Sequence, residues 1–292
     1  MQNKKLTVLF LLLISANCFV YSQINIPDTS YIKTVITTLA SDSLGGRKAG
    51  SKYELMAADY IASQFKLFKI NPYLKENYFQ EFIYKYDSAN YNSKNVIAFI
   101  NNKALKNIII CAHYDHLGFG GKRSHSYGKN EVHNGADDNA SGVALMLQLA
   151  KDSKISALKK YNYIFIAFSG HEDGLCGSNY LVKSNIIDSS SIRLVINLDM
   201  VGRLDKRNPT LFVSSNDTTV SKILTRVAEN YPEFKLKEKE MPQGDHSPFA
   251  EKKIPVLYFT TGMHDDYHKV SDDSQYINYK GIIYIEKLLV NF

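Results

Sequence analysis

Tryptophan is absent from the 292 residues, and cysteine occurs only three times. So few thiols exclude a small disulfide-stapled scaffold. No block of Lys and Arg interleaved with aromatics occurs, so the formal charge of +6 does not call for a nucleic-acid partner. Linkers rich in Pro, Gly or Ser, internal repeats and low-complexity tracts are also missing. What remains is an ordinary globular mixture, 45% hydrophobic and 22% charged. That balance excludes a disordered chain, a collagen-like chain and a multi-span membrane protein. Without Trp, aromatic contacts fall to 20 Tyr and 15 Phe.

The most apolar segment, Leu6–Ile14, follows Lys4 and Lys5 and is too short to span a bilayer comfortably. Val20-Tyr21-Ser22 then offers cleavage before Gln23, so residues 1–22 read as a secretory signal peptide. The expectation is one domain over 23–292, secreted or periplasmic, with no membrane span left after processing. Ser15-Ala16-Asn17 is a poor lipidation context for Cys18, so a lipid anchor is not expected. Removing the two lysines lowers the charge from +6 to +4. Cys111 and Cys176 remain, and spacing leaves open whether they pair or stay free.

Hydrophobic periodicity gives the architecture. Tyr31–Ala40 and the segment from Ser51 to Phe65 carry helical apolar faces. Phe79–Tyr86 and Asn95–Ile100 read as a hairpin. Asn107–Ala112, Tyr163–Phe168 and Arg193–Leu198 are continuous apolar runs that suit strands buried on both faces. Thr210–Val213 and Pro255–Phe259 complete the strands, and the intervening segments are helical, including Gly142–Ala150, Leu175–Val182, Val220–Tyr231 and Gly281–Leu289. This alternation predicts an α/β three-layer sandwich with a mixed, largely parallel central sheet. The charge run Lys235–Glu240 reads as a solvated surface segment.

Polar motifs follow the buried strands, where open α/β sheets place their ligands. They are His113-Tyr114-Asp115-His116, Gly135-Ala136-Asp137-Asp138-Asn139, His171-Glu172-Asp173, Asp199-Met200 and His264-Asp265-Asp266-Tyr267-His268. Singly, each has a bland explanation, since an Asp before a helix is usually a cap. Capping gives no reason to put imidazole or carboxylate at every sheet end. Clustered N/O donors without thiolates suit zinc or a similar divalent ion.

The pattern resembles the secreted co-catalytic dizinc exopeptidases, a family of bacterial zinc aminopeptidases that also includes plasma carboxypeptidases and glutaminyl cyclases. The likeness runs from Leu39-Ala40-Ser41-Asp42 to Ser271-Asp272. It implies two zinc ions, one held by His113 and Asp199, the other by Glu172 and His268, with Asp138 bridging. It further implies that Asp115 orients His113, that Tyr267 stabilises an oxyanion and that His246 lies near the substrate pocket. A cis peptide bond is implied after Asp138. The segment before Asn95 leaves no room for the accessory domain that some relatives insert there.

One position departs from that pattern. The resemblance implies Glu-Glu where this chain has His171-Glu172, so the usual carboxylate base is replaced by imidazole. Gly174-Leu175 and Gly177-Ser178 fix the register. The expected function is therefore a zinc-dependent exopeptidase, an aminopeptidase acting on peptides, active or attenuated, with His171 as base. A zinc-binding pseudo-peptidase that captures peptides is the alternative from another class, and a glutaminyl cyclase-like activity is a second alternative.

Overall fold

Runs of β-branched residues build the centre of the molecule. The computed structural model describes residues 28–126, 130–153 and 159–292, and the expected leader lies outside them. The strands are β1 (Asn71–Pro72), β2 (Phe79–Tyr86), β3 (Ala89–Ile100), β4 (Asn107–His113), β5 (Asn162–Phe168), β6 (Ile192–Leu198), β7 (Thr210–Ser215), β8 (Lys235–Glu238) and β9 (Val256–Thr260). They form one sheet in the order β1-β3-β5-β4-β6-β9-β7-β8, with β2 paired to β3. Central strands β5, β4, β6 and β9 are mutually parallel, and antiparallel pairings to β3 and β7 flank them.

The α-helices are α1 (Ser30–Leu39), α2 (Lys52–Leu67), α3 (Gly142–Ser153), α4 (Cys176–Ser184), α5 (Thr218–Ala228), α6 (Ser247–Glu251) and α7 (Tyr279–Asn291). Strand alternation splits the core into two layers. Ile110 and Ala112 of β4 share one apolar cluster with Ile32, Ile61, Leu145, Leu224 and Ile282 from α1, α2, α3, α5 and α7. Ile109 and Cys111, facing the other way, pack with Leu181 of α4 and Phe249 of α6. Helices thus cover both faces of the sheet, as expected for a three-layer α/β fold.

Three details refine the sequence reading. Strand β3 begins at Ala89, not Asn95, because Asp87 and Ser88 both take positive φ (44° and 69°) and close a two-residue hairpin turn. Residues Lys235–Glu238 of the charge run form an edge strand parallel to β7, and its charges suit an exposed sheet edge. Cys111 and Cys176 are both free thiols. Among the described residues no helix is long and apolar enough to cross a membrane.

Candidate metal centre

The polar motifs meet where β4, β5, β6 and β9 end. The turn that delivers Asp138 is held by an interlocking set of bonds. Asn139 donates to the Leu198 carbonyl at the end of β6 and accepts from the Gly142 and Met200 amides. Asp272 accepts from the amides of Asp137 and Asp138, each at 2.9 Å, and from Arg203 at 3.1 Å. Beneath the turn, buried Arg47 donates to the carbonyls of Tyr114, Asn134 and Gly135. Asp137 turns away, accepting from the Gly202 amide and facing His264 at 3.2 Å. The Asp138–Asn139 peptide bond is cis.

Asp138 therefore stands between two groups of donors. Its Oδ1 lies 3.3 Å from His113 Nε2, which is 3.5 Å from Asp199 Oδ1. Its Oδ2 lies 3.3 Å from His268 Nε2, which is 3.4 Å from Glu172 Oε1. All five side chains named by the sequence pattern converge, and all are buried. These spacings are long for charge-assisted hydrogen bonds, which run about 2.7–2.9 Å. They match the separation of about 3.3 Å between donors on a tetrahedral zinc with bonds near 2.0–2.1 Å. Among the described residues His113 Nε2 has no hydrogen-bond partner. The donor set fits a divalent cation on each side of Asp138.

The electrostatics point the same way. Burial opposes charge at His113 and His268, yet the carboxylates raise His113 well above the ordinary imidazole range and His268 to about 10. Burial likewise opposes the anions, but the surrounding imidazoles hold Asp138 and Glu172 well below it. A buried anionic cluster of this kind calls for positive charge, which cations at these donors would supply. His268 donates its Nδ1–H to the Arg123 carbonyl at 3.0 Å, which leaves Nε2 free to face the carboxylates.

The remaining expected residues fall in different places. His171 stacks on His113 with ring centroids 3.7 Å apart, and its Nδ1 is 2.9 Å from Asp245 Oδ2. Burial and His113 lower its pKa, but Asp245 and Asp199 outweigh them and lift it to about 9. Cations at the neighbouring donors would push it back down. Tyr267 stacks on His268, and burial together with Asp138, Glu172 and Asp199 raises its hydroxyl pKa.

Two further expected residues make their closest contacts elsewhere. Asp115 does not hold His113 through its carboxylate, whose Oδ1 is 3.9 Å away. Its backbone carbonyl is at 3.2 Å instead, while the carboxylate accepts from the amides of His171 and Glu172 at 3.1 and 3.2 Å. Asp115 thus pins the loop that carries those two residues. His246 is buried, with Nδ1 against Asn197 and Nε2 against the Pro242 carbonyl. Its chain neighbour Asp245 is the residue that reaches the site, and only the His171 contact reveals it. The sequence reading likewise assigned no role to His116, whose Nδ1 is 3.2 Å from Glu172 Oε1.

Residues 95–292 match the model of Peptidase family M28. The chain belongs to this family. Among curated M28-like relatives, the alkaline phosphatase isozyme conversion protein of Escherichia coli is 32% identical over 161 residues, 53% of this chain and 46% of that protein. Aminopeptidase YwaD of Bacillus subtilis is 28% identical over 205 residues, 65% of this chain and 42% of that protein. The chain thus spans less than half the length of these relatives. Among solved structures, a Zn-dependent exopeptidase from Parabacteroides distasonis superposes with a TM-score of 0.76 at 19% identity, covering 91% of this chain and 98% of that one. A glutaminyl cyclase from Porphyromonas gingivalis gives 0.73 at 17%, covering 91% and 97%. At such identities these two share the fold with the M28 chain.

Proposed function

We propose that this M28 chain is a zinc-dependent exopeptidase, an aminopeptidase that removes N-terminal residues from peptides, working in one domain and exported by its N-terminal leader. The observation that carries the reading is the convergence of His113, Asp138, Glu172, Asp199 and His268 at the donor spacing that zinc requires. His113 and Asp199 would hold one ion, Glu172 and His268 the other, and Asp138 both. Bound there, zinc supplies Lewis acidity toward a peptide carbonyl and toward water.

The protein's own groups do the rest. Asp245 accepts from His171 Nδ1, which fixes the tautomer and leaves Nε2 to take a proton from the attacking water and return it to the leaving amine. Asp115 ties the amides of His171 and Glu172, so base and ligand keep one geometry. The Tyr267 hydroxyl, kept protonated by burial and the nearby carboxylates, is a donor for negative charge on the carbonyl oxygen.

Mass-spectrometric analysis of a defined peptide pool tests this. Zinc-loaded protein should shorten peptides from the N-terminus, and chelator should stop it. Intact peptides in the presence of zinc-replete protein would refute the exopeptidase reading in favour of peptide capture. Cyclised N-terminal Gln would transfer it to cyclase chemistry, and trimming from the other end would reverse the polarity. His171→Ala should lose about 10²–10⁴-fold in turnover while keeping its metal. Undiminished turnover would remove His171 from the chemistry.

A further inference from the structure

His116 is a buried imidazole to which neither the resemblance nor the mechanism above gives a task. Its amide donates to the Arg47 carbonyl, and Gly135 stands so close that a Cβ there would collide with the ring. The backbone on both sides is thus arranged around it. Nδ1 faces two carboxylate oxygens, Glu172 Oε1 at 3.2 Å and Asp138 Oδ2 at 3.8 Å. Those are the oxygens that His268 Nε2 faces at 3.4 and 3.3 Å. Among the described residues Nε2 of His116 is buried without a hydrogen-bond partner, so the ring is held by what Nδ1 faces and by its packing.

We propose that His116 is a fourth protein donor, through Nδ1, to the ion held by Asp138, Glu172 and His268. The assignment rests on the zinc reading given above. Four donors on a tetrahedral zinc stand about 3.3 Å from one another. The four imidazole–carboxylate separations among His116, His268, Asp138 and Glu172 run from 3.2 to 3.8 Å around that value. A ring serving only to orient Glu172 would close to about 2.7–2.9 Å on one oxygen. His116 instead sits longer and spans both. His116, Asp138 and Glu172 also offer ligand atoms that all lie within 4.8 Å of one another.

The consequence is an asymmetric pair. The Glu172 side gains two imidazoles and two carboxylates, a closed set of the kind that retains a metal firmly. On the Asp199 side His171 lies beside His113 and Asp199 but has its Nδ1 on Asp245, so that His113, Asp138 and Asp199 are the donors there. The ion on the Glu172 side should load first and leave last.

Two measurements on the full chain test this. Cobalt-loaded wild-type protein, read by paramagnetic proton NMR in water, should show hyperfine-shifted exchangeable imidazole signals for His113, His116 and His268. His116→Ala should lose one of them. Zinc titration of the same variant against a chromophoric chelator should leave one affinity unchanged and weaken the other by more than about 10³-fold, beyond the roughly 10–100-fold typical of outer contacts. Signals for two imidazoles only in the wild type, or no signal lost and both zinc affinities retained in His116→Ala, would overturn the assignment. Should the variant fail to fold, the wild-type count decides by itself. A wild type that binds neither metal would instead refute the zinc reading and this assignment with it.

Discussion

Replacing Arg47 by Met should unsettle the site from beneath without touching a donor atom. The Arg47 side chain is fully buried and makes no ion pair among the described residues. Its guanidinium donates to four carbonyls, those of Leu39, Tyr114 (2.8 Å), Asn134 (2.7 Å) and Gly135 (3.0 Å). Burial lowers its pKa to about 10, and Asp138, Asp115, Asp272 and Glu172 restrain that fall, so it stays cationic at neutral pH. Met fills similar length but satisfies none of the carbonyls. Four hydrogen bonds at about 1 kcal/mol net each give a loss of about 4 kcal/mol, within the range of about 3–5 kcal/mol for breaking a buried charged network. In a chain of this size that lowers Tm by about 8–16 °C. The loss should be greater in metal-free protein, where the guanidinium offsets carboxylates that no cation neutralises. Urea and thermal denaturation followed by circular dichroism, with and without zinc, measure it. A midpoint for Arg47→Met within about 1 kcal/mol of wild type would refute the reasoning, and Arg47→Lys, with fewer and less divergent donors, should fall between the two.

Other outcomes follow from single contacts. Asp245→Asn should keep its metal but lose about 10²-fold or more in turnover, because the 2.9 Å partner of His171 no longer fixes the ring; elemental analysis with steady-state kinetics checks both halves. Gly142→Ala sets a Cβ against Asn139 Oδ1 and the Leu198 carbonyl, so its urea midpoint should report about 1–3 kcal/mol of overpacking. Glu286 has its pKa raised to about 8 by burial, then by its proton-sharing contact with Asp152. The folded chain therefore holds a proton that the unfolded chain releases above about 4.5, and stability falls as pH rises from there to about 8. Glu286→Gln should accordingly raise Tm relative to wild type at pH 9 and change it little at pH 4, and equal differences at both would exclude this titration.

Periodicity and local chemistry made much of the molecule legible. Continuous apolar runs at Asn107–Ala112 and Tyr163–Phe168 have no polar face to expose, so they had to become central strands β4 and β5. Lys235–Glu238 was harder, because a charged run carries no core-facing signal and acquires strand geometry only by pairing with β7. The polar motifs could be picked out because sheet ends collect ligands, and the resemblance then singled out His113, Asp138, Glu172, Asp199 and His268 among them. Their supporting contacts could not, since these join residues far apart in the chain. His171 meets Asp245 across 74 positions, and Arg47 meets Gly135 across 88.

By itself, then, the sequence determined the sheet, its helical layers and the kinds of side chain gathered at one end. It also placed His171 where the resemblance implies a carboxylate. Only the tertiary structure decided which carboxylate faces His171, that His246 packs against Asn197 and the Pro242 carbonyl, and that His116 faces the oxygens His268 faces. Local sequence sets which groups a strand end carries. Distances of 3 Å between strand ends depend on the spatial order and register of β5, β4, β6 and β9, which no local pattern encodes.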